Sequence, residues 1–373
     1  MTRFSERIAR LEPSPVRKIL RAAQGKALLS LAGGLPAEEC FPVIPGLPGK
    51  WQQYGTTEGE PRLRRALSEL LGRRGLECPP ERILVLNGSQ QGIDLAAKLF
   101  VDPGTPVLVE SPTYLAALQV FRLFGARLES LPADLRSSPD ALDRIRAPLA
   151  YVGPTNGNPT GRSWNDPERL AFAEAADRTG TAVLEDDPYH EIGFGDLPLT
   201  PVCARLRKAS WIYLGSFSKS FVPGLRMGFL AASADLFPHL ERLKQAADLH
   251  SHRLSQELVL RDLLDPGRED RLDALRATYR ARRDAFHESL LRHFPQAQWK
   301  VPEGGLFFWA HLKPGVDLRT FHRQALEAGV AFLPGEHCFA GEPELGWARL
   351  NFSHCDPVDA DRALGILARV LQA

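Results

Sequence analysis

GSFSKSFVPGLRMGF, residues 215–229, follows the apolar run WIYL (211–214) and holds one lysine, Lys219, among serines and glycines. Such a run ending in a short polar loop reads as a strand followed by a turn. The loop sets a flexible amine at a strand end, with Arg226 seven residues further on. Lysine amines lose their proton readily when desolvated and then serve as nucleophiles. A lone Ser-Lys pair is more often a solvated loop. Here Ser216, Ser218 and Arg226 add three groups suited to a phosphate, and Pro223-Gly224 turns the chain between lysine and arginine.

From residue 82 onward, short apolar runs alternate with helical spacing: RILVLNG, PVLVESP, LAYVGPT, TAVLEDD, WIYLGSF and MGFLAAS are the strand candidates. That alternation predicts an α/β layer with a largely parallel sheet. Ligands of such sheets sit beyond the carboxyl ends of the strands, so the residues after each run matter most. RILVL leads to NGSQQG, with Ser89 and Gln90 at the start of a helix ending near Phe100. Free amides and the helix dipole favour a phosphate there, an ordinary N-cap at Ser89 being the alternative. PVLVE leads to SPTY, whose Tyr114 is suited to stack on a ring or simply to pack. LAYVG leads to PTNGNPTG, with Asn158 before a proline, and TAVLE leads to DDPY, with Asp186 and Tyr189 three residues apart. A buried carboxylate at that strand end requires a balancing cation.

Upstream, QYGTTEGEPRLRRALSELLGRRG (53–75) has a glycine-rich turn and then Pro61 in the first turn of an amphipathic helix. SLAGGLP (30–36) places Gly34 in a pair of glycines that allow a backbone to approach a ligand closely. Residues 1–30 read as an arm with helical spacing around Ile8, Leu11, Ile19 and Leu20, broken at Pro13 and Pro15. Downstream, 235–264 and 268–294 read as long helices, the second with Leu272, Leu275, Tyr279, Phe286 and Leu290 on one stripe. PEGGLFFWA (302–310), GVAFLPG (329–335) and WARLNFS (347–353) are strand runs of a small α+β domain, with Arg349 inside the last. The expected division is an arm (1–38) packing with the small domain, a large domain (39–255) and a small domain (256–373).

With 373 residues, 44% hydrophobic and 24% charged, the chain has the composition of a globular enzyme rather than a disordered segment. A formal charge of +1 gives no reason to expect a nucleic-acid or anionic-membrane partner. Cys40, Cys78, Cys203, Cys338 and Cys355 are odd in number and unpaired in spacing, which predicts neither a disulfide framework nor a zinc site and fits a reducing cytoplasm. His250 and His252, two apart, do not face each other on a helix and are not metal-like. The charged N-terminus lacks a signal-peptide core, and no apolar run reaches the length of a membrane span. Neither GxGxxG nor GxxxxGK occurs, so dinucleotide and P-loop readings lose ground.

AGGLP, YGTTEGEP, GSQQG, SPTY, NPTG, DDPY, SFSK with PGLRMG, and RLNFS resemble, in order, the motifs of fold-type I pyridoxal-phosphate-dependent class I aminotransferases. PSPVR, SLAGGLP, GSQQG and EDDPY are most similar to the branch holding 2-aminoadipate, kynurenine and related aromatic aminotransferases. The resemblance implies transfer of an amino group from an L-amino acid (2-aminoadipate, glutamate, aromatic or branched-chain) to a 2-oxo acid such as 2-oxoglutarate. It implies Lys219 as the Schiff-base lysine, Asp186 as partner of the pyridine nitrogen, and Asn158 and Tyr189 at the ring hydroxyl. Ser89, Gln90, Ser216, Ser218 and Arg226 would surround the phosphate, and Tyr114 would stack on the ring. Tyr54 would reach in from the second subunit of a homodimer, and Arg349 would grip the substrate α-carboxylate. Gly34 and Arg17 would lie on the substrate side, Arg17 near its distal end, with a solvated arm arginine as the alternative. Gly157 departs from the family pattern, where many relatives carry a larger residue, and this affects the shape of the pocket beside the ring.

Two other readings bear weighing. Regulators exist whose effector domain resembles this branch behind a DNA-binding winged helix, but about thirty residues before AGGLP are too few for one and no basic stripe is present. A β-lyase or decarboxylase would keep the cofactor and change the reaction, since fold does not fix function.

Overall fold

The computed structural model describes residues 4–6, 51–131, 141–195 and 200–372. Its centre is a seven-stranded sheet of β1 (Ile83–Leu86), β2 (Pro106–Val109), β3 (Arg127–Ser130), β4 (Leu149–Val152), β5 (Ala182–Asp187), β6 (Trp211–Ser216) and β7 (Gly228–Ala232). The order across the sheet is β1-β7-β6-β5-β4-β2-β3. Pairing is parallel from β3 through β2, β4 and β5 to β6, while β7 runs antiparallel to both β6 and β1. All six strand candidates are therefore strands. The edge strand β3, sequence RLES, has no apolar run to announce it and exists through its register with β2.

Side-chain alternation sorts the strands into two cores. Val183, Tyr213, Phe229 and Ala231 face helices Pro61–Arg73, Asp166–Thr179 and Arg253–Leu264 through Leu67, Phe172 and Val259. Leu184, Leu214, Leu230 and Tyr151 face helices Ser89–Phe100, Leu115–Leu123 and Phe237–Asp248 through Ile93, Phe121 and Leu240. Both faces are buried, which is why these strands read as continuous apolar runs.

The same alternation divides three consecutive acidic residues at the end of β5. Glu185 and Asp187 turn to the face of Tyr213, and Asp186 turns to the face of Tyr151. Because β1, β2, β4, β5 and β6 run in one direction, their carboxyl ends share one edge. The reversed strand β7 begins at that edge, with Gly228 paired to Ser216, so Arg226 also arrives there.

A second, four-stranded sheet, β10 (Leu333–Pro334), β11 (Trp347–Asn351), β9 (Phe307–His311) and β8 (Gln298–Trp299) in that order, is antiparallel. Helices Arg268–His293 and Pro357–Gln372 cover it, and Phe286, Leu290, Phe308, Leu350, Leu364 and Leu367 form its core. This mixed α/β architecture, a large mostly parallel sheet between helices plus a smaller α+β lobe, is the expected fold class. The stretch expected as one helix over 235–264 is two, interrupted at Leu249, whose φ of 62° no continuous helix accepts. His252 caps the second of them by accepting from Ser255 N. Among the described residues, no cluster of acidic, histidine or cysteine side chains is arranged to hold a metal ion. No helix of the described residues is long and apolar enough to cross a membrane.

Arg17 and Gly34 lie outside the described residues, as does most of the arm. The arm's described residues, 4–6, sit against the large lobe: Ser5 N donates to Leu99 O at 2.7 Å, and the Phe4 ring packs on Phe100 and His239.

Candidate active site

The shared edge of the large sheet forms one wall of a cavity of about 340 Å³, and Arg349 and Phe307 of the small lobe form another. Ser89, Gln90, Tyr114, Asn158, Asp186 and Tyr189 all line it, as do Ser216, Ser218, Lys219, Arg226 and Arg349. The residues from Ser89 to Arg226 meet there because each follows, or lies just before, a strand end at that edge, and Arg349 joins them from β11 of the small lobe. Tyr54 is the exception. It is 56% exposed, does not line the cavity, and packs edge-on against the His250 ring at 5.7 Å.

Asp186 sits at the floor, 6% exposed. Its Oδ2 accepts from the Tyr151 hydroxyl at 2.8 Å, while its buried Oδ1 has no hydrogen-bond partner among the described residues. Burial pushes this carboxyl from 3.8 up to about 6, with Asp187 adding to the rise and Tyr151 and Lys219 opposing it. The half-buried Lys219 amine is shifted the other way. Desolvation lowers its pKa, and the cations Arg226 and Arg349 lower it further against the pull of Asp186. A carboxylate awaiting a cation and an amine pushed toward neutrality thus face one cavity.

The helix Ser89–Phe100 opens toward the same space. Its N-cap is Gly88, at φ 87° and without a side-chain cap, so Ser89 is the first helical residue rather than the cap. A Cβ on Gly88 would stand 2.5 Å from Arg226 Nη2, and one on Gly228 would stand 2.7 Å from Ser89 N. Both glycines are needed for the guanidinium and the helix amides to converge. Arg226 takes the left-handed φ of 53° after the turn Pro223–Leu225, and Ser218 N donates to Ser216 Oγ at 3.2 Å. Two hydroxyls, an arginine and a helix start are a donor set for a phosphate.

Across the cavity, Arg349 Nη1 donates to Asn158 Oδ1 at 2.9 Å and its guanidinium lies 4.2 Å from the centre of the Phe307 ring. Its place in β11 opposite Trp309 of β9 turns a residue that resembled an outward strand position into the cavity. Tyr189 is buried beside Asn158, and burial raises its hydroxyl pKa. The departure at Gly157 has a local reason. A Cβ there would meet the Gly153 carbonyl at 2.6 Å, and the preceding Asn156 takes a φ of 48°.

These residues fit pyridoxal phosphate on two counts. The orphaned Oδ1 of Asp186 is an acceptor for a protonated ring nitrogen, and the glycine-framed donor cluster at Ser89 and Arg226 suits a phosphate. Sequence reasoning missed Tyr151, which fixes the Asp186 carboxyl. Its only signal was a tyrosine inside the apolar run LAYV, which reads as core.

The family model for aminotransferase class I and II matches residues 43–367. The chain is 36% identical to a 2-aminoadipate transaminase of Thermus thermophilus, with 99% of this chain and 96% of the relative covered. It is 34% identical to aromatic-amino-acid aminotransferase 1 of Thermococcus litoralis, covering 94% and 89%. Among solved structures it resembles the alpha-aminoadipate aminotransferase of Thermus thermophilus complexed with N-(5'-phosphopyridoxyl)-L-leucine, with a TM-score of 0.81, 36% identity, and 99% and 97% covered. The chain belongs to the class I and II aminotransferase family and is a pyridoxal-phosphate-dependent aminotransferase.

Proposed function

We propose that Lys219, Asp186, Asn158, Tyr189, Arg226 and Arg349 form the active site of this transaminase. The observation that carries the reading is Asp186: a carboxyl with one oxygen buried and unpartnered, across a cavity from a lysine whose amine is pushed toward neutrality. The cofactor, when bound, supplies an electron-poor ring that takes up the charge left when a proton leaves the substrate Cα. Asp186 Oδ1 would accept from the ring N–H and keep that nitrogen cationic. Tyr151 engages Oδ2 and leaves Oδ1 for that role. Lys219 would hold the cofactor and, with its amine free and neutral, would serve as the base that carries the proton from the substrate Cα. Asn158 and Tyr189 would hold the ring oxygen. Tyr114 would stack on the ring, and Ser89, Gln90, Ser216, Ser218 and Arg226, which line the same cavity, would hold the phosphate. The planar fork of Arg349 binds the two oxygens of the substrate α-carboxylate, and its bond to Asn158 fixes the fork beside the ring. Small-molecule amino acids and 2-oxo acids are the partners.

Borohydride reduction followed by peptide mass mapping tests the core of this assignment. The adduct is expected on Lys219; an adduct on another lysine contradicts it.

The finer readings have separate supports. Tyr54 is exposed and outside the cavity, which suits a residue acting in the partner's site of a homodimer. Mixing Lys219→Ala with Tyr54→Ala then restores activity, and a dead mixture of exchanging, cofactor-loaded dimers refutes it. Acidic donors such as 2-aminoadipate or glutamate rest on Arg17 and on similarity to the 2-aminoadipate transaminase. Arg17→Ala would lower kcat/KM for them about tenfold and leave leucine or phenylalanine nearly unchanged, whereas equal losses remove that support. For the lobes, the expected division at 255 is open to a shift toward the turn 265–267, a reading supported by Val259 and Leu260, which pack in one core with Leu67 and Phe172. A cytoplasmic location rests on the dispersed cysteines, and secretion with formation of disulfides would contradict it.

A further inference from the structure

Glu191 lies two residues beyond Tyr189 and does not line the cavity, yet it is tied to the lysine loop. Its Oε2 accepts from the hydroxyl of Ser220, the residue after Lys219, at 2.5 Å. Its Oε1 accepts from Arg74 Nη2 at 3.0 Å and Arg268 Nη2 at 2.7 Å, and its backbone carbonyl accepts from Arg276 Nε at 2.9 Å. Arg268 and Arg276 belong to the helix that opens the small lobe. The backbone carbonyl of Ser220 accepts from Arg271 Nη1 of the same helix at 2.7 Å. Arg268 and Arg271 share Asp262 as a second carboxylate partner, at 3.1 and 2.6 Å. Arg74 continues the network to the Tyr213 hydroxyl at 2.9 Å, and Tyr213 donates to Asp187, the neighbour of Asp186.

The hydroxyl and the carbonyl of the residue next to Lys219 are therefore both held by charged side chains, Glu191 nearly withdrawn from water and Arg271 partly exposed. Such bonds are stronger than neutral ones and, in a dry site, hold geometry. The buried pair Arg169 and Glu185, with its carboxylate accepting from Val202 N and Cys203 N, touches no residue of this loop. Between residues 216 and 221 the loop also has two internal bonds, Ser218 N to Ser216 Oγ and Phe221 N to Phe217 O. Neither of these connects it to the Asp186 strand end or to the small lobe. Glu191 does both.

We propose that Glu191 is a positioning residue for Lys219: through Ser220 it pins the lysine loop to the strand end bearing Asp186 and Tyr189, and through Arg268 to the helix leading to the lobe of Arg349. This rests on the assignment of Lys219 made above. The amine must reach both the ring and the substrate Cα, and small displacements of a reacting group are costly.

The test uses the cofactor-loaded variants Ser220→Ala, which removes the hydroxyl accepted by Glu191, and Arg271→Ala, whose side chain is 39% exposed and less needed for folding. For each, the pH midpoint of the visible cofactor band, kcat and KM are measured, and the borohydride adduct is mapped. Ser220→Ala is expected to move the midpoint by about half a unit or more and to lower kcat about tenfold with KM changed about twofold at most, and Arg271→Ala, which keeps the Glu191 bond, to change both less. Ser220→Thr, which keeps the hydroxyl, is expected to recover the parent midpoint. Adducts on Lys219 with midpoint and kcat unchanged in Ser220→Ala overturn the proposal. An adduct on a different lysine overturns the assignment of Lys219 instead.

Discussion

Asp186 and Glu191 stand five residues apart at one end of the large sheet, both nearly withdrawn from water, and the protein treats them in opposite ways. Among the described residues Asp186 has one tyrosine on one oxygen and nothing on the other, and its carboxyl rises to about 6. Glu191 has a serine and two arginines. Burial pushes it up, but Arg74, Arg268 and the Ser220 hydroxyl outweigh that and hold it at about 2. A withdrawn charge with both oxygens engaged belongs to the scaffold. One left short of partners, facing a cavity, is kept for a ligand cation. The contrast separates function from support more sharply than burial or acidity alone.

The largest expected difference lies in catalysis. Asp186→Asn keeps the shape but removes the charge at the ring nitrogen, and kcat/KM is expected to fall about a thousandfold. Glu191→Gln touches no reacting group and is expected to lower it only about tenfold, through the lysine loop. Steady-state kinetics of the two variants would break the comparison if the losses were equal or reversed in order.

Stability should show the reverse ranking. Glu191→Gln leaves Arg74 and Arg268 facing a neutral amide, which costs about 3–5 kcal/mol in comparable buried pairs. The native Glu191 carboxyl binds protons less tightly than the unfolded one. Its contribution is therefore fully present above the unfolded value of 4.5 and is lost as pH falls toward about 2. Denaturant unfolding of parent and variant between pH 6 and pH 3 should show the gap narrowing as acid is added; a gap independent of pH would mean that the Glu191 charge is not what stabilises.

A smaller effect sharpens the Asp186 side. Tyr151→Phe removes the one hydrogen bond that favours the ionised carboxyl, so the Asp186 pKa should rise further. The acidic limb of kcat/KM is expected to move up by about one pH unit, with activity above that limb reduced only several-fold. An unmoved limb would detach Tyr151 from the site.

How much of this was legible from the chain follows from what each feature depends on. The apolar runs of β1, β2, β4, β5, β6 and β7 announce themselves because both faces are buried, and the chemistry-bearing loops follow them directly. β3 was silent, since an edge strand with the sequence RLES owes its form to its neighbour. The break at Leu249 was hidden because its backbone turn needs neither glycine nor proline there. Tyr151 and Glu191 were missed for a shared reason. Their significance lies in contacts with residues 35 and 29 positions away, which no local pattern encodes. Asp186 and Asp187 could be seen as a pair, but which one serves the ligand is decided by the side of the sheet each faces.

The central claim is that Asp186 is held ionised at a cost which only a bound cation relieves, and cofactor-free protein tests it directly. A carboxyl whose folded pKa exceeds its unfolded one binds protons more tightly when folded, so the parent apoprotein loses stability as pH rises from about 4 through about 6. Asn at this position carries no such charge. Unfolding free energies of the apo forms of parent and Asp186→Asn should converge near pH 4 and separate above pH 6, with Asp186→Asn the more stable by up to about 3 kcal/mol. An Asp186→Asn apoprotein that is less stable than the parent at pH 8 would contradict the account, because it would show that the carboxylate is already satisfied without its cofactor.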